Sequence, residues 1–282
     1  MPWRQMIYAG PGLIAGLLLG LSAGPGALAA ENPVAPVRIQ EWSQARVIEM
    51  GQAIYRQDIA AWVATDALLA EVAQEQLGDL RGWIVEPDGP DQKVRFFKEA
   101  PDGFNAAWDV PVVDGKAGAV VALADNVKLS SDEQAQFAAT HTARANIGSL
   151  RCSENLNTAV VRDPDGKGWL VWLLTATAEN GVVPIGGHYR FLISPDGQTV
   201  LRREQLSNGC LNMSMIPPDG AVSGALLFVT QIVSDGPVET HVFLSLLNRI
   251  PIYVGARDRI YEVDGALIRD MDPMEQRRPR AR

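Results

Sequence analysis

Histidine is the side chain best suited to moving protons near neutral pH, and this 282-residue chain has three of them, His141, His188 and His241. His188 stands in "IGGHYRFLIS", directly after two glycines and two positions before Arg190. An imidazole at a sheet edge, with an arginine beside it and glycines that let a ligand approach the backbone, is suited to act as a general base. His241, at the start of "HVFLSLL", would join it from a neighbouring strand. That constellation, His188, Arg190 and His241 around a pocket, is the basis of an enzymatic reading of the hydrolase or isomerase kind.

The alternation of the stretch favours a plainer role. Tyr189, Phe191 and Ile193 fall on one face of a strand, and His188, Arg190, Leu192 and Ser194 on the other. His188 and Arg190 then share the more polar face, solvated or hydrogen-bonded, and the like charge disfavours the imidazolium. On this reading His188 opens a hairpin strand and does no chemistry.

Other chemistries have little to stand on. No H-x-H, H-x-x-x-H or H-E-x-x-H spacing occurs, so no metal site is expected. Ser149 in "IGSL" and Ser223 in "VSGA" lack the nucleophile elbow, and no S-x-x-K is present. "DGKAGAV" and "IGGH" match neither a phosphate loop nor a dinucleotide fingerprint, so no cofactor is expected. "DPDGKG" at 163–168 has glycine fourth and lysine fifth, which spoils a calcium loop. Trp83, Phe96, Phe97, Phe104 and Trp108 crowd one segment. They could stack on a sugar, but they read first as filling between helix and sheet.

Residues 1–29 have the layout of a secretory signal: Arg4, the apolar "GLIAGLLLGLSAG", then "ALA" before a cleavage point after Ala29. The apolar part is short for a membrane span. Removing Arg4 leaves 24 basic and 33 acidic residues, a balance that excludes general nucleic-acid binding. The basic exception is the end, "EQRRPRAR", with Arg277, Arg278, Arg280 and Arg282. Residues 272–282 read as a solvated tail able to touch an anionic membrane surface weakly. An exported location, periplasmic or secreted, also fits the two cysteines. Cys152 and Cys210, 58 positions apart, suit one structural disulfide worth about 4 kcal/mol by loop-closure entropy.

The elements that must position these residues follow from periodicity. Residues 30–39 read as an extended leader. Between Gln40 and Gly78, Ile48, Tyr55, Ile59 and Trp62 recur at helical offsets and Leu68, Leu69 and Val72 continue them, which predicts one long helix or two consecutive ones packed on a sheet. Asp-Gly then recurs at Asp88, Asp102, Asp114, Asp165, Asp196, Asp219, Asp235 and Asp264, five times as Pro-Asp-Gly. The triplet suits hairpin tips, so antiparallel sheet is expected, at irregular spacings that disfavour a propeller. "SSDEQAQFAATHTARANI" breaks the pattern with a helix over 132–145, capped by Ser131 and Gln134. Beyond it some eight or nine short strands follow, among them "GWLVWLL", apolar throughout as a doubly covered central strand should be, and "ETHVFLSLL". The expected fold is α+β: residues 40–147 as N-terminal helices packed on antiparallel sheet, and 148–271 as a β-rich half of hairpins with the disulfide.

"IYRQDIAAWVATDALL" with "GWIVE", "RCSENLNTAVV" with "GWLVWLLTAT", "GGHYRFLIS" with "CLNM", and "THVFLSLLNRIPIYVGA", in this order, resemble an uncharacterised group of exported alphaproteobacterial proteins. The resemblance implies an envelope or periplasmic location, places the group's two cysteines at Cys152 and Cys210, and brings no activity. The expectation is a non-catalytic binding or envelope-associated protein.

Overall fold

A computed structural model describes residues 35–176, 179–215 and 226–271. The signal-like segment expected over 1–29, the basic tail 272–282, Ser223 and the turn expected at Asp219 lie outside the described residues. Residues 35–43 form neither helix nor strand. Ser43 then accepts from the Arg46 amide and starts α1, Gln44–Glu71, a single 28-residue helix. It stops well before Gly78 and is followed by a short 3₁₀ turn at Gln74–Leu77.

The face that α1 buries is not the one the large residues suggest. Val47, Met50, Gly51, Ala53, Ile54, Gln57, Ala60, Ala64 and Leu68 are buried, whereas Ile48, Tyr55, Ile59 and Trp62 are half-buried and Leu69 is exposed. Small residues win because the helix is packed closely. A Cβ on Gly51 would lie 2.4 Å from the Val242 Cβ and 2.8 Å from the Glu239 carbonyl. Only glycine fits at that crossing.

The first sheet consists of β1 (Leu80–Asp88), β2 (Asp91–Ala100), β3 (Gly103–Val113), and the short β4 (Lys116–Ala117) and β5 (Val121–Ala122). It is antiparallel, in the order β1-β2-β3-β4 with β5 also on β3. The C-terminal half of α1 covers one face, over Val85, Val94, Phe96, Trp108 and Val110. On the other face Phe97 meets Phe104 at 5.3 Å and Phe137 at 4.7 Å between ring centroids, both edge to face. Such pairs are the favoured aromatic geometry. The aromatics of this segment thus fill core, with Phe96 and Phe97 wholly buried.

Helix α2 (Ser131–Ala145) begins one residue earlier than its sequence signal, with Ser130 as cap. The capping box pairs Ser130 with Glu133 instead of Ser131 with Gln134. Glu133 is held in place for this by Arg95 of β2, which donates to it at 2.8 Å. The second sheet follows, of β6 (Leu156–Arg162), β7 (Trp169–Thr175), β9 (Tyr189–Ile193) and β10 (Val200–Gln205), while the short β8 (Val182–Pro184) and β11 (Asn212–Ser214) pair with each other in a separate two-stranded ribbon. The order of the sheet is β10-β9-β7-β6, and every residue of β7 is buried. The alanine stripe of α2 packs on Val171, Leu173, Tyr189 and Phe191, while Leu170, Trp172 and Leu174 face α1 and the last sheet.

The last unit departs from the hairpin expectation. After β12 (Leu227–Gln231), "ETHVFLSLLN" forms helix α3 (Glu239–Asn248), and the chain returns as β13 (Ile252–Ala256) parallel to β12. β14 (Arg259–Asp264) and β15 (Leu267–Asp270) complete the sheet. The expected strand over "ETHVFLSLL" is a helix instead. A parallel pair needs a crossover, and α3 can be buried all round against α1, as its first seven residues are. Six of the eight Asp-Gly pairs do cap hairpins, their glycines at φ between +58° and +125°, a region that glycine enters freely. Asp235 sits in the connection from β12 to α3. The fold is α+β.

Gln57 joins the two large sheets. Its amide donates to the Val85 carbonyl of β1 at 3.4 Å and accepts from the Val160 amide of β6 at 3.3 Å. Gln136 of α2 donates to the same Val85 oxygen at 3.2 Å. β1 and β6 are edge strands whose unpaired groups are buried here, and the two glutamines satisfy them.

Candidate functional site

The two glycines before His188 serve the backbone of this chain. Gly187 has φ +85°, and a Cβ there would lie 2.4 Å from the Cys152 Sγ and 2.6 Å from the Thr175 Oγ1. A Cβ on Gly186 would strike the Gly209 carbonyl at 2.2 Å. They admit the Cys152–Cys210 disulfide, whose Cα atoms are 5.3 Å apart, and the chain leading to Cys210. No room is left there for a ligand to reach the backbone.

His188 is 1% exposed, not on a solvated face. Its Nδ1 accepts the Thr175 amide at 3.0 Å and its Nε2 lies 2.9 Å from the Pro184 carbonyl. These partners fix the neutral tautomer with the proton on Nε2. The imidazole thereby completes the edge of β7 where β9 has not yet begun. Burial, opposed by the bond to Pro184, pushes its pKa down to about 4. His241, in the first turn of α3 and not on a strand, is also buried; its Nδ1 accepts the Val238 amide at 3.1 Å, the return half of a helix cap. Burial, and then the nearby His188, push its pKa down to about 3. His141 lies at the surface with its ring packed on Phe137, 4.4 Å between centroids, and this partial covering of the ring, then Arg144, hold it below its ordinary value.

Arg190 is the centre of a dry charged cluster. The β-sheet register places Trp172, Arg190 and Glu204 directly opposite one another across β7, β9 and β10, hence on one face. The Arg190 Nε donates to Glu204, its Nη1 donates to both oxygens of Glu239 at 3.1 Å, and its Nη2 donates to the Gln40 carbonyl at 2.9 Å. The Trp172 indole donates to Glu239 at 2.8 Å, and the guanidinium lies 3.7 Å from the centre of the Trp42 ring, a cation–π contact. Arg202 gives Glu204 a second cation at 2.6 Å. Burial alone would disfavour the charge on Arg190, but Glu239 and Glu204 outweigh it and hold the guanidinium above its ordinary range. The adjoining cavity is about 20 Å³, which admits a single water.

The structure therefore brings all three sequence-derived residues into the interior, with their polar groups engaged in holding the leader, α3 and the two strands. "DPDGKG" folds as a turn around its own Asp163, which accepts the amides of Asp165 and Lys167. Glu204, Glu239, Trp172 and Trp42 escaped the sequence reading. Glu204 had a signal, since an Asp-Gly hairpin aligns it with Arg190, whereas Glu239 and Trp42 are far along the chain. Among the described residues no group of three metal-ligating side chains occurs, and no helix is long and apolar enough to cross a membrane.

A larger concavity of about 470 Å³ opens between the leader and the end of β12. Val37, Arg38 and Ile39 form one wall, Ile232, Val233 and Asp235 the other, and Gln205 lies on the floor. Among the described residues that line it there is no histidine, lysine or cysteine. Ile232 and Val37 are exposed apolar residues on it, and Arg38 and Asp235 face one another across it at 3.8 Å. Comparison with family models, with curated proteins and with solved structures finds no match to this chain.

Proposed function

We propose that this is an exported, non-catalytic binding protein of the cell envelope, holding a small or extended ligand in the groove between residues 36–39 and 232–235. The observation that carries the reading is the state of the titratable groups. His188 and His241 are neutral, buried and hydrogen-bonded, and Arg190 is saturated by two carboxylates and a carbonyl. A base that no substrate can reach contributes nothing to proton transfer. The groove combines exposed apolar side chains, Val37 and Ile232, with the polar Arg38, Gln205, Asn208 and Asp235, a mixture that can both cover and orient a ligand. The disulfide is compatible with an oxidising compartment, and the signal-like segment 1–29 supports export.

A thermal-shift screen of the oxidised chain starting at residue 30, run beside Ile232→Glu, tests the proposal. A ligand that raises the melting temperature of the parent but not of the variant is the expected result. Turnover of an ester, amide or phosphate substrate that disappears in His188→Gln would overturn it and restore the enzymatic reading. Fractionation with mass mapping tests location independently: the native protein should be found outside the cytoplasm, cleaved near Ala29, with Cys152 and Cys210 joined.

A further inference from the structure

The order β12-β13-β14-β15 gives β12 one neighbour and leaves its other side an edge. In the parallel ladder alternate residues bond β13, as Leu227 does when its amide donates to the Pro251 carbonyl at 3.5 Å. The N–H and C=O groups of Phe228 and Thr230 therefore point to the open side, where they have no partner among the described residues. An open edge is a template for another strand, and proteins normally guard it.

The other edges of this chain are guarded. The glutamines answer β1 and β6, and the Val37 amide donates to the Arg203 carbonyl of β10 at 3.0 Å. β15 carries Arg269 and Asp270, paired with Glu262 and Arg259. β4, β5, β8 and β11 are only two or three residues long. β12 has none of these devices. From 226 to 234 the sequence reads "LLFVTQIVS", without a charge or a proline, and the register to β13 is regular. Leu227 and Val229 are buried in the chain's own core. Leu226, Phe228 and Ile232 alternate with them and are 58%, 47% and 67% exposed, with Thr230 exposed between them.

We propose that β12 pairs antiparallel with β12 of a second copy of this chain, about a two-fold axis through Thr230. In that register Thr230 faces its own counterpart, and Phe228 faces Ile232 of the second copy on either side of the axis. An aromatic residue opposite a β-branched one is a favourable cross-strand pair, and the pairing covers both exposed side chains at once. Charge points to the same occupant. Two copies of net charge −8 repel, so a contact between them needs a segment in which no like charges meet, and residues 226–234 supply one. Asp235, just beyond, is answered by Arg257. Pairing one short strand buries less than the ~1,200 Å² of a stable complex, so the dimer is a weak one, with a dissociation constant on the order of micromolar. The proposal does not rest on the groove. Ile232 belongs to both surfaces, whereas Phe228 and Thr230 do not line the groove.

Sedimentation velocity of the native protein, its disulfide intact, from about 1 to about 300 μM brackets such a constant and tests the contact. Hydrogen exchange at the two ends of that range reads the edge itself. A reversible monomer–dimer equilibrium is expected, with the Phe228 and Thr230 amides protected only where the dimer is populated. Thr230→Lys sets two ammonium groups side by side across the axis and should weaken association at least about tenfold without lowering the melting temperature. Phe228→Glu should weaken it similarly, although the ring also lies over Gly255 of β13. Leu267→Glu, on the far edge strand β15, should leave association unchanged. A chain that stays monomeric throughout overturns the proposal. So does equal protection of both amides at both concentrations, the result if residues 216–225 lie along the edge. A dimer that survives Thr230→Lys and Phe228→Glu, or that Leu267→Glu breaks, overturns it as well. Loss of the ligand response with the dimer intact would sink the groove reading alone.

Discussion

Arg190 and Arg203 are buried arginines on adjacent strands of one sheet, on opposite faces, and their surroundings differ in kind. Arg190 has two carboxylates, a backbone carbonyl and an indole face, and its adjoining cavity admits one water. Arg203 has one carbonyl partner and an orphaned nitrogen. A buried charge that is fully compensated is part of the architecture; one that is half compensated subtracts from stability. By this criterion His188, Arg190 and His241 have their polar groups engaged, and Arg203 of "LRREQL" is the less compensated of the two arginines.

The largest expected effect would come from breaking the compensated side. Arg190→Met strands Glu204 and Glu239 without their shared cation and should lower unfolding free energy by about 3–5 kcal/mol in a urea titration. Arg203→Met removes one hydrogen bond and no ion pair, and should lower it by about 1–2 kcal/mol. Equal losses would end the distinction between the two arginines.

The disulfide should separate the two faces differently. Replacing both Cys152 and Cys210 by alanine should lower stability by about 4 kcal/mol. Hydrogen exchange should quicken first at the amides of 148–151, beside Arg203, while the amides of β7 next to Arg190 keep their protection up to global unfolding. Loosening of β7 before the loop would show that the staple holds the whole sheet.

The buried histidines belong to the compensated side and predict acid sensitivity. Both have folded values, about 4 and about 3, below their ordinary 6.5, so the unfolded chain binds more protons through that window. Their contribution is complete above pH 6.5 and disappears as the pH falls towards 4 and then 3, a loss on the order of a few kcal/mol. His188→Gln should be less stable at neutral pH, for want of one of its two bonds, and should show a shallower fall in urea midpoints as the solution is acidified.

Asp58 is a milder case of incomplete compensation and gives the smallest effect. Burial lifts its carboxyl to about 6, with the hydrogen bond from Asn157 pulling the other way. The folded state thus favours the protonated form, and stability is gained, not lost, as pH falls from about 6 to 3.8. Asp58→Asn should raise stability at neutral pH by about 1–2 kcal/mol and make no difference once the carboxyl is protonated in both states. A destabilised variant at neutral pH would mean that the charge has a partner in solution.

Much of the fold could be read from local chemistry, and most of the site could not. Pro-Asp-Gly and its relatives bend the chain wherever they stand, so six hairpin tips followed from dipeptides alone. β7 announced itself by unbroken hydrophobicity. In α1 side-chain volume is no guide to burial, because a helix that crosses another at Gly51 buries its small residues. "ETHVFLSLL" misled because a short apolar run has no period that separates a strand from a buried helix.

What the sequence by itself determined is the alternation of turns and apolar runs, the one cysteine pair, and the sign of the charge balance, since each depends on a residue's own conformational and redox chemistry. Only the tertiary structure decided which groups are titratable in practice. Glu239 reaches Arg190 from 49 positions away and Gln40 from 150. Whether a charge is answered or left wanting depends on what the rest of the chain brings within hydrogen-bonding distance of it, a property that no local pattern encodes.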